Sequence, residues 1–205
     1  LVALVGATAL WGVTFTLVGG VVEGRGLAGA LAFLGLRFGI ATAVFVPLLP
    51  AIVRASRGRG SEPWRDGSIV GVLTFAGFLL QTMGLLETTP PRSAFVTSLS
   101  VVCVPFAAAL VLRRALSRAH VGLSALALAG VGLVVAPGGA LAPNRGDLWT
   151  LACALVFAWQ IVAVERALRR TSALVLTFGQ IAATCLCAWI ALGLSPGPAL
   201  EAWPG

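Results

Sequence analysis

The chain has 205 residues, of which 59% are hydrophobic and only 10% carry a charge. A soluble domain usually carries about 25% charged residues because its surface must stay hydrated, so this composition excludes an ordinary soluble globular protein. The net charge of +7 comes from fourteen basic residues, all arginine. They are spread over short connections between apolar runs and form no single basic face, which argues against a nucleic-acid-binding protein.

Long apolar runs occupy most of the chain. A membrane helix needs about 20 apolar residues to cross roughly 30 Å of hydrocarbon. Seven such runs predict helices over residues 2–22, 27–53, 67–86, 93–112, 119–136, 148–164 and 171–194. Transmembrane β-strands would be about ten residues long, with strictly alternating polarity. The sequence therefore predicts an all-α, polytopic transmembrane helical bundle of about seven helices.

The six connections between these runs are alternately poor and rich in arginine. In chain order they hold 1, 4, 1, 3, 1 and 3 arginines: Arg25; Arg54, Arg57, Arg59 and Arg65; Arg92; Arg113, Arg114 and Arg118; Arg145; and Arg166, Arg169 and Arg170. Arginine-rich loops stay in the cytoplasm. We therefore predict a multi-pass protein of the plasma membrane, with the even-numbered connections and the amino terminus in the cytoplasm.

Arg37 is the only charged residue inside a predicted span. A charge at that depth costs at least a few kcal/mol unless it is paired or reaches water. The side chain could extend along its own helix to the headgroups, which lie about ten residues away. Alternatively, it faces the bundle, where it attracts an anionic group or joins two helices. We favour the second interpretation, because ionisable residues inside membranes are usually functional.

Polar residues recur at helical spacing in several spans and should face the bundle, because hydrocarbon cannot satisfy them. Serine and threonine commonly form only inter-helix hydrogen bonds, worth about 0.6 kcal/mol each. Glutamines are costlier to bury, and a scaffold held by packing alone would not need them. The residues that we predict to line a substrate cavity are Trp11, Thr14, Arg37, Gln81, Thr97, Ser100, Phe157, Gln160, Thr177 and Gln180.

Signatures of catalysis are absent from the sequence. It has no HExxH, no Gly-x-Ser-x-Gly and no glycine-rich phosphate loop. The four cysteines show no CxxC spacing, and the chain has a single histidine, His120. We therefore expect no catalytic residue, no metal site and no cofactor.

A series of short motifs resembles the EamA-type family of the drug/metabolite transporter superfamily. The first span contains Trp11-Gly12, and the second contains Arg37-Phe38 after Phe33. Further similar segments follow in the same order over essentially the whole chain: residues 80–85, 94–99, 104–105, 129–131, 146–148 and 157–159. Arg113-Arg114 stands where the family usually has a Glu-Arg pair, and Pro90-Pro91 where small residues are more common.

This resemblance implies a secondary transporter with ten helices in two inverted five-helix repeats. Such proteins move small metabolites, often amino acids or drug-like compounds, commonly outward, along a path between the repeats. The implied partners are the lipid bilayer and a small-molecule substrate, with proton coupling and a homodimer left open. On this interpretation, residues 1–136 are the first repeat and residues 137–205 are the truncated start of the second. The chain would thus be an incomplete transporter.

Two other functions stay open at this point. A polytopic membrane enzyme acting on lipid-linked substrates would need two or three catalytic groups at one depth, and the sequence shows none. A non-transporting membrane scaffold subunit would need no buried glutamines, whereas Gln81, Gln160 and Gln180 all lie in predicted spans.

Overall fold

The structure, a computed structural model, describes residues 2–22, 26–113, 115–135 and 144–195. For a few residues near the ends of α1 and α6, and for Trp11, it describes the backbone alone. The helices are α1 (Val2–Val22), α2 (Gly26–Val44), α3 (Leu49–Ser56), α4 (Glu62–Leu85), α5 (Pro90–Leu112), α6 (Arg118–Val135), α7 (Arg145–Leu168) and α8 (Ala173–Leu194).

The prediction of an all-α polytopic bundle is confirmed, since the described residues contain helices and no strand. Five helical segments in this part of the chain are long and apolar enough to cross a membrane: Gly26–Ser56, Glu62–Leu85, Pro90–Leu112, Arg145–Leu168 and Ala173–Leu194.

Proline accounts for the departures of α2, α4 and α5 from the predicted helix bounds. The prediction of one uninterrupted helix over residues 27–53 is wrong, because α2 ends at Val44 and a 3-10 turn over Val46–Leu48 leads into α3. Pro47 and Pro50 lack the amide hydrogen that a continuous helix would use there. In contrast, α4 and α5 begin earlier than predicted, with Pro63 and Pro90 in their first turns, where no amide donor is needed.

The helices pack in a definite order around α4. This helix lies between α7 and α8, α5 packs on α7, and α2 packs on α8. Helix α6 packs on α5, and its described side chains are exposed except for that of Ser124. Helix α1 makes smaller contacts with α2, α4 and α5. Among the helices long enough to span a membrane, α4 and α7 are therefore the most buried.

Glycines allow α4 to approach its neighbours closely. A Cβ atom added at Gly67 would lie 3.0 Å from the Cα of Gly179 on α8, and one added at Gly71 would lie 2.5 Å from the Cβ of Ala183. Towards α7, a Cβ added at Gly77 would lie 2.5 Å from the ring of Phe157. Small residues at such positions let the backbones of two membrane helices approach closely, and this increases the van der Waals contact between them.

The connections gather at two ends of the bundle. At one end the Arg59 guanidinium donates to the Arg170 carbonyl at 3.1 Å, which brings the second and sixth connections together. Leu116 and Glu165 line a common pocket, which places the fourth connection at the same end. We call this the arginine-rich end, since it carries Arg54, Arg57, Arg59, Arg65, Arg113, Arg118, Arg166, Arg169 and Arg170.

At the opposite end, the third connection meets the start of α7. The Thr88 hydroxyl lies 3.4 Å from the Asp147 carboxylate. The described arginines there are Arg92 and Arg145. The alternation of arginine counts along the sequence therefore becomes a charge difference between the two ends of the bundle.

Candidate functional site

The side chain of Arg37 stacks on aromatic rings from its own and a neighbouring helix. The central carbon of its guanidinium lies 4.8 Å from the ring centroid of Phe78 on α4 and 5.6 Å from that of Phe38. Such distances permit a cation–π interaction. The side chain is half-buried, and no carboxylate lies within 4 Å of it in the described part of the chain. The guanidinium thus lies beside an aromatic wall.

A chain of rings extends from this stack across the bundle. Phe78 meets Phe38 at a centroid distance of 5.4 Å and meets Phe157 on α7 edge-on at 5.3 Å. The edge-on arrangement is favourable because the positive ring edge faces the negative ring face. Phe157 was predicted as a site residue and Phe78 was not. The stack therefore joins α2, α4 and α7 around one cation.

Two predicted polar residues meet between α4 and α5. The Gln81 amide donates to the Thr97 hydroxyl at 3.5 Å, and both side chains are buried. One turn earlier on α5, the hydroxyls of Ser93 and Thr150 lie 3.4 Å apart, which links α5 to α7. These contacts replace the hydrogen bonds that water would otherwise supply to buried polar groups.

Gln180 takes part in a second polar contact, between α8 and α4. Its amide donates to the Thr74 hydroxyl at 3.0 Å. The Thr184 hydroxyl lies 3.0 Å from the Gly71 carbonyl and 2.8 Å from that of Gln180. Gln180 and Thr184 therefore face α4 and form hydrogen bonds in the packing of the two helices.

The remaining predicted residues are scattered over four helices. Thr14, Ser100, Gln160 and Thr177 are all half-buried. The side chain of Trp11 lies outside the described side chains. The structure thus brings Arg37 towards Phe157 and joins Gln81 to Thr97, but it does not gather all ten predicted residues at one point.

Two sizeable cavities lie near the ends of the bundle. One, of about 390 Å³, lies between α4, α5 and α7 at the arginine-rich end. The other, of about 570 Å³, lies at the opposite end beside the connection between α4 and α5. Neither is lined by Arg37 or by the predicted polar residues. Gln81 and Gln180 instead each donate a hydrogen bond to a side chain on a neighbouring helix.

Charged residues at the ends of α4 and α7 were missed by the sequence analysis. Asp66 is only 8% exposed, although it follows a polar connection. Asp147 accepts from the Asn144 amide at 2.9 Å and pairs with Arg92 at 2.6 Å. The signal available in the sequence was Asn144-x-x-Asp147, which fits a helix-capping box.

Comparisons with known proteins identify the family. The EamA-like transporter family matches residues 1–136. An uncharacterized transporter from Archaeoglobus fulgidus is 32% identical over 171 residues, which cover 83% of this chain and 50% of the relative. The chain thus spans about half the length of this relative. No solved structure matches the chain. Its described helices form a polytopic apolar bundle, as a multi-pass membrane protein requires. Because of the family match and the similarity to this relative, the chain belongs to the EamA-like transporter family.

Proposed function

We propose that this chain forms part of a secondary transporter of the plasma membrane that exports small metabolites, such as amino acids or drug-like compounds. The substrate path runs between two inverted repeats, the first over residues 1–136 and the second beginning at residue 137. The amino terminus lies in the cytoplasm. The family match over residues 1–136 supports the repeat boundary, and the outward direction rests on the family resemblance.

The observation that carries this proposal is the stack of Arg37 on Phe78 and of Phe78 on Phe157. Arg37 and Phe78 belong to the proposed first repeat, and Phe157 belongs to the second. A guanidinium inside a membrane is costly, so its retention there favours a functional role. With no carboxylate within 4 Å in the described residues, it can attract the anionic group of a metabolite, and the rings can pack against its apolar part.

Transport by the full-length protein in membrane vesicles tests this function. A panel of labelled amino acids and drug-like compounds is offered to both right-side-out and inverted vesicles. Accumulation of one class in inverted vesicles is the expected result for an exporter. Flux only in right-side-out vesicles would contradict the direction, and no flux of any class would favour a scaffold or an enzyme.

The role of Arg37 is tested on the transported compound. Arg37→Ala should lower transport about tenfold or more, because a charged hydrogen-bond donor contributes about 1.5–3 kcal/mol. Arg37→Lys keeps the charge but loses the planar stack, so it should restore transport only in part. Arg57→Ala, in an exposed connection, is the control and should transport normally. Normal transport by Arg37→Ala at normal membrane abundance would contradict the assigned role.

A further inference from the structure

The cavity at the arginine-rich end combines cationic and apolar walls. Its volume is about 390 Å³, and it lies between α4, α5 and α7. Charged side chains line one side of it, and the rest of its lining is apolar: Ile69, Val70, Leu73, Val111, Trp159, Val162, Ala163 and Ala167. A site of this composition fits a ligand with a charged head and an apolar body.

The charged side of the cavity is positive. Arg65, Arg166 and Arg170 line it together with Asp66, which leaves a formal charge of +2. The Asp66 carboxylate lies 3.8 Å from the Arg65 guanidinium and 3.7 Å from that of Arg170, so two arginines offset its charge. Within the described residues Arg166 forms no ion pair. The cavity therefore complements an anion, and Arg166 is available to bind it.

The apolar part of the cavity continues towards the middle of the bundle. A second pocket of about 280 Å³ between α5 and α7 shares Trp159 with the first. The residues that line it are all hydrophobic: Cys103, Phe106, Ala107, Leu110, Leu155, Ala158 and Trp159. From Leu110 to Cys103 this groove follows α5 for about 10 Å at 1.5 Å per residue. Leu110 and Leu155 are exposed on its rim, as expected for a groove open to lipid.

We propose that this cavity and groove bind one anionic phospholipid. The headgroup phosphate contacts Arg166, with Arg65 and Arg170 beside it, because guanidinium groups bind phosphate oxygens through paired, charge-assisted hydrogen bonds. One acyl chain lies along the groove between α5 and α7. Trp159 lies between head and chain, because it lines both the cavity and the groove. A soluble anion would satisfy the arginines but would leave the apolar groove unused.

Native mass spectrometry of the full-length protein in mild detergent tests the site. The probes are phosphatidylglycerol and phosphatidylcholine with identical acyl chains, and the wild-type protein should retain phosphatidylglycerol preferentially. Arg166→Gln should lower the retained phosphatidylglycerol about fivefold, the usual contribution of one arginine near an anionic headgroup. The matched control is Arg169→Gln, which removes the same charge from the neighbouring turn but does not line the cavity.

Arg166 and Arg169 are both exposed, so both variants should fold like the wild type. If they lower phosphatidylglycerol retention equally, the lipid responds only to general surface charge and the proposal is overturned. Displacement of the lipid from the wild-type protein by excess inorganic phosphate would also overturn it, in favour of a soluble anion.

A photo-crosslinking side chain at Leu110 tests what occupies the groove. In the full-length protein in phosphatidylglycerol vesicles, we expect an adduct with lipid. An adduct with protein would show that another protein segment or subunit fills the groove, and it would overturn the proposal.

Discussion

The Arg92 guanidinium lies 2.6 Å from the Asp147 carboxylate and thereby joins the first turn of α5 to the first turn of α7. Both side chains are largely buried, with 23% and 11% of their surface exposed. Asp147 also accepts from the Asn144 amide, and the Asn144 side chain accepts from the Asp147 amide. One carboxylate therefore caps a helix and pairs with a second helix.

Removing Arg92 should destabilise the protein measurably. We expect Arg92→Gln to lower the free energy of unfolding by about 2 kcal/mol, somewhat less than for a fully buried pair, because Asp147 would lose its partner. Unfolding by sodium dodecyl sulfate in mixed micelles measures this. Arg145→Gln is the matched control, since Arg145 is 82% exposed and lies 3.8 Å from Glu87, and it should cost less than about 0.5 kcal/mol. Equal losses from the two variants would contradict a special role for the Arg92–Asp147 pair.

The close approach of α4 and α8 predicts that Gly71 cannot be enlarged. A Cβ added there would lie 2.5 Å from the Ala183 Cβ and 2.7 Å from the Gln180 carbonyl oxygen, so Gly71→Ala must push the helices apart. Overpacking of this kind costs about 1–3 kcal/mol. Gly122→Ala on α6 meets nothing within 4 Å and should leave stability unchanged or slightly raised. The same unfolding assay measures both variants. An unchanged free energy of unfolding for Gly71→Ala would contradict the close packing of α4 on α8.

The hydrogen bond between Gln180 and Thr74 should contribute modestly to stability. A double-mutant cycle with Gln180→Leu and Thr74→Val should give a coupling free energy of about 0.6 kcal/mol, typical of hydrogen bonds between membrane helices. The control cycle combines Thr74→Val with Gln160→Leu on α7 and should show no coupling. If transport by the full-length protein falls sharply in Gln180→Leu while stability hardly changes, Gln180 contacts substrate as first predicted from the sequence.

The orientation of the bundle can be measured at two equivalent helix starts. Ser61 precedes α4 at the arginine-rich end and Thr89 precedes α5 at the opposite end, and neither side chain caps its helix. In a full-length protein without native cysteines, Ser61→Cys should resist an impermeant maleimide in intact cells and react after permeabilisation. Thr89→Cys should react in intact cells. The reverse pattern would place the amino terminus outside.

Run length and polarity were sufficient to predict most helices, because crossing a membrane fixes their length. The first helix, Val2–Val22, has the predicted bounds. Proline was harder to interpret. Pro47 follows the end of a regular helix, whereas Pro90 begins one. The difference depends on whether a carbonyl in a preceding helical turn would have accepted a hydrogen bond from the amide that proline lacks.

The partners of the candidate site residues could not be predicted in this way. Helical spacing places Gln81 and Thr74 on one face of α4, but the structure pairs Gln81 with α5 and Thr74 with α8. The choice depends on how three helices pack around α4, which no local pattern encodes. Phe78 was missed for the same reason, since an aromatic residue in an apolar run gives no sign that a cation lies above it.

Gly67 and Gly179 leave no side chain between the backbones of α4 and α8 at their closest point. A slide of one helix by a full turn, about 5.4 Å, would drive side chains such as Ala183 into the opposite backbone. The two helices should therefore move together as one rigid body. Because α4 belongs to the proposed first repeat and α8 to the second, the two repeats would stay joined along this line, and any displacement during transport would have to occur elsewhere between them.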